Sequence, residues 1–192
     1  MGKLDANKKK KRESLLNTAF NIFTSKGVSQ TSISEIVKNA GVAKGTFYLY
    51  FKDKYDIKNK LVAHKSNKLF MNAITELDKH KGLDYHERFI VVIDNIINQF
   101  NENKSLLQFI AKNLSWGIFK NSITSKEIYN TIIDESPKKL KDPEIMLFMI
   151  VELVSSAVYS PILYNEPVSI EELKPHLYNA VKSIIRQHEC DE

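Results

Sequence analysis

Ser32 to Lys54 reads SISEIVKNAGVAKGTFYLYFKDK, and its spacing predicts a short helix, a tight turn at Gly41-Val42 and a second short helix. Ser32 followed three residues later by Glu35 is a capping-box pattern that starts a helix at Ile33 by satisfying its orphan N–H groups. Ile36, Val37 and Ala40 give that helix one apolar stripe. Gly41 then supplies the left-handed residue with which helices commonly end. Val42 plugs the corner, and the next helix restarts near Ala43 or Lys44 and runs to about Phe51. Phe47 and Phe51, four apart, share its inner face. Lys44, Thr46, Tyr48 and Tyr50 point elsewhere.

These residues carry a resemblance to the tetracycline-repressor (TetR) family of bacterial regulators. Ile36, Val37, Ala40, Gly41, Val42, Gly45, Phe47, Tyr48, Tyr50, Phe51, Asp53 and Lys54 stand against that family's DNA-binding signature. Val37 replaces a usual Ala, and Ala43 replaces the usual Ser at the second helix's N-cap, a loss worth roughly 1 kcal/mol of local helix stability. The motif extends over Ser14 to Ile57. Elsewhere the resemblance is limited to length and helical layout.

The resemblance implies an all-α chain with a helix-turn-helix head over residues 1–52 and a ligand-binding and dimerisation body over 53–192. It puts Lys44 and Lys54 beside DNA phosphates. With Phe47 and Phe51 turned inward, the hydroxyls of Tyr48 and Tyr50 suit phosphate oxygens, which position a protein without reading sequence. Gly45 permits close approach of backbone to DNA, and Thr46 and Leu49 are placed for base edges or thymine methyls. Ser32 and Ser34 are further phosphate candidates, although Ser32 is also needed as a cap.

Charge follows the same division. The 192-residue chain has a formal net charge of +5, but residues 1–60 hold 13 Lys/Arg against 5 Asp/Glu, whereas the remainder holds 15 against 18. A basic end that coincides with a helix-turn-helix is the footprint expected of a phosphate-binding head. A solvated Lys-rich tail would explain Lys8 to Lys11 alone, not Lys44, Lys52 and Lys54 around the motif.

Helical signals continue along the chain. After a disordered Met1 to Asn7, helix one is expected from Lys8 to Lys26, with Leu15, Leu16, Ala19, Phe20, Ile22 and Phe23 at helical spacing. Asp53 reads as the N-cap of a long fourth helix to about His80. A fifth, about Tyr85 to Asn101, puts Phe89, Ile93, Ile96, Ile97 and Phe100 on one face. A sixth spans Lys104 to Phe119, interrupted at Trp116-Gly117, and a shorter one Ser125 to Glu135. Asp142-Pro143 pairs an N-cap with a first-turn Pro before an apolar helix from Glu144 to about Tyr164. Ser169 with Glu172 opens the last helix, to about His188. Five Pro and six Gly leave little room for turn-dense β structure.

The body of the resembling family implies a ligand cavity, and polar or aromatic interruptions mark its candidate lining: Phe70, Phe89, Asp94, Phe109, Lys112, Trp116, Phe148 and Glu152. A carboxylate from Asp94 or Glu152 facing that cavity would suit a cationic or amine ligand. One short recognition helix makes too little contact for a specific site, so a homodimer reading two half-sites of a palindromic double-stranded operator is expected. The last two helices resemble the family's dimer seam. The function implied is a ligand-responsive regulator, a repressor released by a small-molecule effector. The alternative is a helical small-molecule-binding protein with a nonspecific DNA-binding head.

Other chemistries find little support. Gly41 to Thr46 has Lys-Gly-Thr where a phosphate loop needs Gly-Lys-Thr, and Ser29 in GVSQT is no nucleophile elbow. No Glu-x-x-His pair exists, so neither catalytic nor metal residues, nor a cofactor, are expected. The single Cys190 leaves no intrachain disulfide. Ile145 to Tyr164 is apolar enough to test as a membrane span, but Glu152 and Pro161 favour a buried helix of a soluble, cytoplasmic protein.

Overall fold

The computed structural model describes residues 3–113, Trp116 and residues 133–190, the side chains of Lys3, Leu4 and Lys112 excepted. Among them the regular elements are helices: α1 (Lys3–Lys26), α2 (Ile33–Ala40), α3 (Lys44–Tyr48), α4 (Lys54–Leu77), α5 (Tyr85–Glu102), α6 (Lys104–Asn113), α7 (Pro143–Ala157), α8 (Tyr159–Tyr164) and α9 (Ile170–His188). No strand occurs among the described residues, and one isolated antiparallel bridge joins Leu140 to Glu189. The fold is all-α. The chain divides into two compact units, Met1–His64 and Lys65–Glu192, with the division inside α4.

In the first unit, Leu15, Leu16, Ala19 and Phe23 of α1 are buried with Ile36 and Val37 of α2, Phe47 of α3, Phe51, and Ile57, Leu61 and Val62 of α4. Helices α1 and α2 run antiparallel. Ser14 Oγ donates to the Ala40 carbonyl at 3.3 Å near one end, and Lys26 Nζ meets Glu35 Oε2 at 2.6 Å at the other. Helix α1 begins at Lys3 rather than Lys8, since Ala, Lys and Asn residues ahead of the core can extend an existing helix without burying anything.

In the second unit, α5 turns Phe89, Ile93, Ile96, Ile97 and Phe100 inward, as its 3.6-residue period requires. Asp84 opens it with a complete capping box, its carboxylate accepting from Glu87 N–H and Glu87 reaching back to Asp84 N–H. Helix α7 packs on α9, and α9 on α5. The chain after residue 138 runs beside the end of α9, where Lys141 N–H donates to His188 O at 2.7 Å and Cys190 N–H to Lys139 O at 2.9 Å.

The expected single helix from Glu144 to Tyr164 is two, α7 and α8, parted at Val158. Pro161 explains the position: its ring crowds the carbonyl of the fourth preceding residue, Ala157, where α7 stops. Pro143 does occupy the first turn, but Asp142 sits in the left-handed region at φ 47° with no side-chain cap. Pro143–Tyr164 remains long and apolar enough, by length and composition, to cross a membrane. Here α7 buries Met146, Leu147, Ile150 and Val154 against protein. Most of the expected sixth helix beyond Asn113, and the short helix up to residue 132, lie outside the described residues.

Candidate nucleic-acid interface and effector cavity

The helix-turn-helix is fixed by a handful of backbone partnerships. Ser32 is extended (φ −102°, ψ 152°), and its Oγ accepts from Glu35 N–H at 3.1 Å. The reciprocal half of the predicted box is not made, because the Glu35 carboxylate is drawn to Lys26. Gly41 is left-handed at φ 68°, ψ 32°, and Val42 N–H closes the helix on Val37 O at 3.0 Å. Ala43 starts α3 with no side-chain cap.

Helix α3 ends at Tyr48, short of Phe51. The N–H groups of Tyr50 and Phe51 both reach Phe47 O at 3.0 Å, a tightened last turn. Beyond it Asp53 Oδ1 caps α4, accepting from Tyr55 and Asp56 N–H at 2.8 Å each, and the Asp56 carboxylate takes Lys52 N–H at 2.8 Å. Burial pushes the Asp56 carboxyl up, but that N–H and the Lys60 ammonium outweigh it and hold it below the ordinary value. The start of α4 thus limits the length of α3.

Phe47 and Phe51 are fully buried with ring centroids 5.5 Å apart. Their burial turns the opposite side of α3 outward: Tyr48 is 53% and Leu49 79% exposed, and Lys44 and Gly45 are exposed beside them. Thr46 and Tyr50 are half-buried, while Ser32 and Ser34 are exposed at the start of α2. A Cβ built on Gly45 would meet nothing within 4 Å.

Lys54 is placed differently from a free phosphate ligand. Its ammonium donates to Ser29 O at 2.9 Å and Thr31 O at 3.3 Å, tying the start of α4 to the loop before α2. Lys60 likewise donates to Tyr50 O at 3.0 Å and pairs with Asp56 at 3.0 Å. Nothing in the local sequence signalled either brace, since Ser29 and Thr31 act through backbone oxygens.

The second unit contains an apolar cavity of about 70 Å³. Leu69 and Phe70 of α4 and Ile110 of α6 form part of the wall. Helix α5 adds Phe89, Val92, Ile93, Ile96 and Phe100, and α7 adds Leu147, Ile150, Val151, Val154 and Ser155. Ser155 is the one polar side chain in that lining, and its hydroxyl turns to the Glu152 carbonyl at 3.3 Å.

Of the residues expected there, Phe70 and Phe89 line the cavity. Phe109 is buried outside the lining, and the Lys112 side chain lies outside the described residues. Phe148 is 40% exposed, its ring edge-on to Trp116 at 5.4 Å, and both border an open groove with Pro143 and Ile145. Glu152 is exposed. Asp94 joins α5 to α9 instead: it accepts from Tyr178 and Asn98 and meets Lys174 Nζ at 3.1 Å. Burial raises its carboxyl, but the bonds from Tyr178 and Lys174 bring it below the ordinary value. Burial and the Asp94 carboxylate push the Tyr178 phenol strongly up. The condition for a cationic ligand, a carboxylate in the cavity wall, is met by neither acid.

A buried aromatic pair that turns a short helix outward beyond a left-handed glycine turn has the geometry of a helix-turn-helix. The family model described as bacterial regulatory proteins, tetR family, matches residues 15–60, the part of the chain that holds the helix-turn-helix. The chain is 40% identical over 90 residues to the uncharacterized HTH-type transcriptional regulator YvdT of Bacillus subtilis, a match spanning 46% of this chain and 43% of that protein. It is 26% identical over 177 residues to an HTH-type transcriptional regulator of Staphylococcus aureus, covering 89% and 92% of the two. Among solved structures, the fatty acid degradation regulator FadR of Bacillus halodurans shares the fold at TM-score 0.68 and 18% identity, over 88% of this chain and 96% of that one. FadR of Bacillus subtilis, in complex with stearoyl-CoA, does so at TM-score 0.61 and 21% identity, over 90% and 98%.

Proposed function

We propose that the protein is a cytoplasmic, non-enzymatic, ligand-responsive repressor whose homodimer binds a palindromic operator and is released by a small-molecule effector. Residues 1–52 serve DNA binding and 53–192 effector binding and dimerisation. The observation that carries the reading is the exposure of Leu49 and Tyr48 on a helix anchored by fully buried Phe47 and Phe51. A folded head gains nothing by presenting a 79% exposed leucine to water, whereas a thymine methyl or base edge is a fitting partner.

Three further features support it. Lys44 stands beside those residues with no ion pair among the described residues. Ile145, Phe148 and Met149 are exposed together on α7, an apolar face suited to a second copy through the last two helices. The cavity wall is aliphatic and aromatic, which suits an effector with a hydrocarbon chain; the Bacillus subtilis FadR of similar fold was solved with stearoyl-CoA. At about 70 Å³ the cavity is roughly half the ~150 Å³ that holds a benzene. An effector must therefore part α4, α5 and α7 to enter, and α4 carries that movement to the sequence that begins at Lys54.

The test is fluorescence anisotropy against a duplex selected from a random library and a scrambled control, followed by titration with acyl-CoA esters. Preference of about a thousandfold for a palindromic site, reversed by the ester, is expected. Equal affinity for both duplexes would favour the nonspecific DNA-binding alternative, and an operator complex indifferent to every chain length would remove the acyl effector.

A further inference from the structure

We propose that Gln99 gates the apolar cavity and serves as its polar subsite: its side-chain amide, which clasps α5 to α4, is handed over to the carbonyl oxygen of an effector whose hydrocarbon chain enters between the two helices. The proposal rests on the effector-binding reading of the second unit and names the chemical group, an acyl carbonyl, that the cavity selects.

Helix α5 carries two polar pairs at i and i+4, and they lie on different sides of it. At about 100° per residue, Asn95 and Gln99 flank the face on which Val92, Ile96 and Phe100 meet the cavity, whereas Asp94 and Asn98 lie on the far side. The flanking pair holds α4. Gln99 Nε2 donates to Leu69 O at 3.0 Å and to Asn95 Oδ1 at 2.7 Å, and Gln99 Oε1 accepts from Asn72 Nδ2 at 2.9 Å. Leu69 is itself a wall residue, so the clasp crosses the rim of the cavity between two of the helices that enclose it. The far pair holds α9. Lys174 Nζ donates to Asn98 Oδ1 at 2.9 Å and meets Asp94 at 3.1 Å and Glu171 at 3.2 Å, and the Tyr178 hydroxyl donates to Asp94.

The two clasps differ in how readily they break. Hydrogen bonds to an ionised group are roughly twice as strong as neutral ones, and parting α5 from α9 would strand the Asp94 carboxylate and the Lys174 ammonium. Gln99 holds α4 through neutral groups, Asn72 is exposed, and the Leu69 carbonyl, inside α4, keeps its own helical bond when Gln99 leaves. Helix α4 is therefore the wall that yields, and α5 stays on α9. A side-chain amide has two N–H donors, so release from Leu69 leaves one of them at the rim while Asn95 retains the other. A carbonyl oxygen is the group that donor fits. Ser155, the one polar side chain in the lining, turns its hydroxyl to the Glu152 carbonyl, so no second donor competes. A chain that brings a carbonyl to the rim completes the hydrogen bonding of Gln99, and one that lacks it leaves a donor unsatisfied where α4 was.

The experiment titrates the full-length protein, by isothermal calorimetry, with dodecanoyl-CoA and with S-dodecyl-CoA, a thioether of the same length that has a methylene in place of the carbonyl. Wild type is compared with Gln99→Leu, which removes clasp and donor together, and with Asn72→Ala, which loosens the clasp and leaves the donor. Circular dichroism checks the fold of each. Wild type is expected to prefer the thioester about tenfold, the weight of one hydrogen bond made away from water. Gln99→Leu should lose that preference while binding the thioether about threefold more tightly than wild type, since no clasp then opposes entry. Asn72→Ala should bind both ligands more tightly by a similar factor and keep the preference. A thioester preference that survives Gln99→Leu would overturn the proposal, as would equal affinity of wild type for the two ligands or a thioether affinity unchanged in both variants. Should Gln99→Leu fail to fold, the wild-type preference and the Asn72→Ala response still decide. Failure of the effector reading is separate: wild type then binds neither ligand, and the gate falls with it.

Discussion

Replacing Gly45 with alanine separates folding from DNA binding at one atom. Gly45 lies within α3, its φ is not positive, and an added Cβ meets nothing within 4 Å. The free protein thus has no steric need for glycine there. Alanine is about 1 kcal/mol better than glycine inside a helix, so Gly45→Ala should leave stability unchanged or raise it by up to about 1 kcal/mol, equivalent to a Tm shift of roughly 2–4 °C for a chain of this size. Operator affinity should move the opposite way. If the DNA backbone approaches the glycine as closely as the missing side chain allows, a methyl group forces α3 away and costs at least tenfold, about 1.4 kcal/mol. Thermal melting followed by dye spectroscopy, together with anisotropy titration on the selected operator, measures both. A variant that binds as tightly as wild type would refute close approach at this position. A variant that melts several degrees lower would refute the open space on which the reasoning depends.

Three other outcomes follow from the geometry. Ser32→Ala removes the acceptor for Glu35 N–H and should cost about 1 kcal/mol in urea unfolding; a loss within error would mean that water replaces the cap. Asp94→Asn should destabilise by about 1 kcal/mol at pH 7, discounted because the carboxylate is 38% exposed. The folded carboxyl lies below its unfolded value, so its contribution is present above about pH 4 and fades as the pH falls through the folded pKa. Wild-type and variant stabilities should therefore converge in acid, and an equal gap at pH 7 and pH 3 would dismiss the linkage. Val154→Phe, which puts a ring into the cavity of about 70 Å³, should abolish the response to acyl-CoA while leaving operator affinity within about threefold and costing 1–3 kcal/mol at most; a full response would place the effector elsewhere.

Local signals carried the helix boundaries furthest. Ser32, Gly41, Asp53 and Ser169 each lie at a helix end where a short side chain or a left-handed backbone does something only that residue type does well. Periodicity identified the inner faces of α1 and α5 for the same reason. What was not legible depended on partners distant in sequence. Lys54 read as a phosphate contact, whereas its ammonium sits on carbonyls 25 and 23 residues away. Asp94 looked like a pocket residue because it interrupts an apolar helix, yet its partner Tyr178 is 84 positions distant. The break at Val158 lay between these cases. Pro161 was visible, but its effect falls four residues upstream, where the sequence itself continues apolar.

The fate of the polar interruptions limits what the cavity can hold. Asp94 and Lys174 neutralise each other between α5 and α9, Glu152 is exposed, and Ser155 turns its hydroxyl to its own helix. A charged group driven into the remaining wall of Leu, Ile, Val and Phe would lose its hydration and find no counter-charge, a cost of several kcal/mol. A hydrocarbon chain in the same place loses nothing polar and gains about 0.8 kcal/mol for each methylene buried. On the proposed reading, such a wall would accept the hydrocarbon chain of an amphipathic effector and exclude its charged head. Chain length then sets how far α4, α5 and α7 must separate, so the release of operator should grow with each added pair of carbons until the wall can part no further. A response that depended on the charged head alone, equal for short and long chains, would contradict a cavity built from these residues.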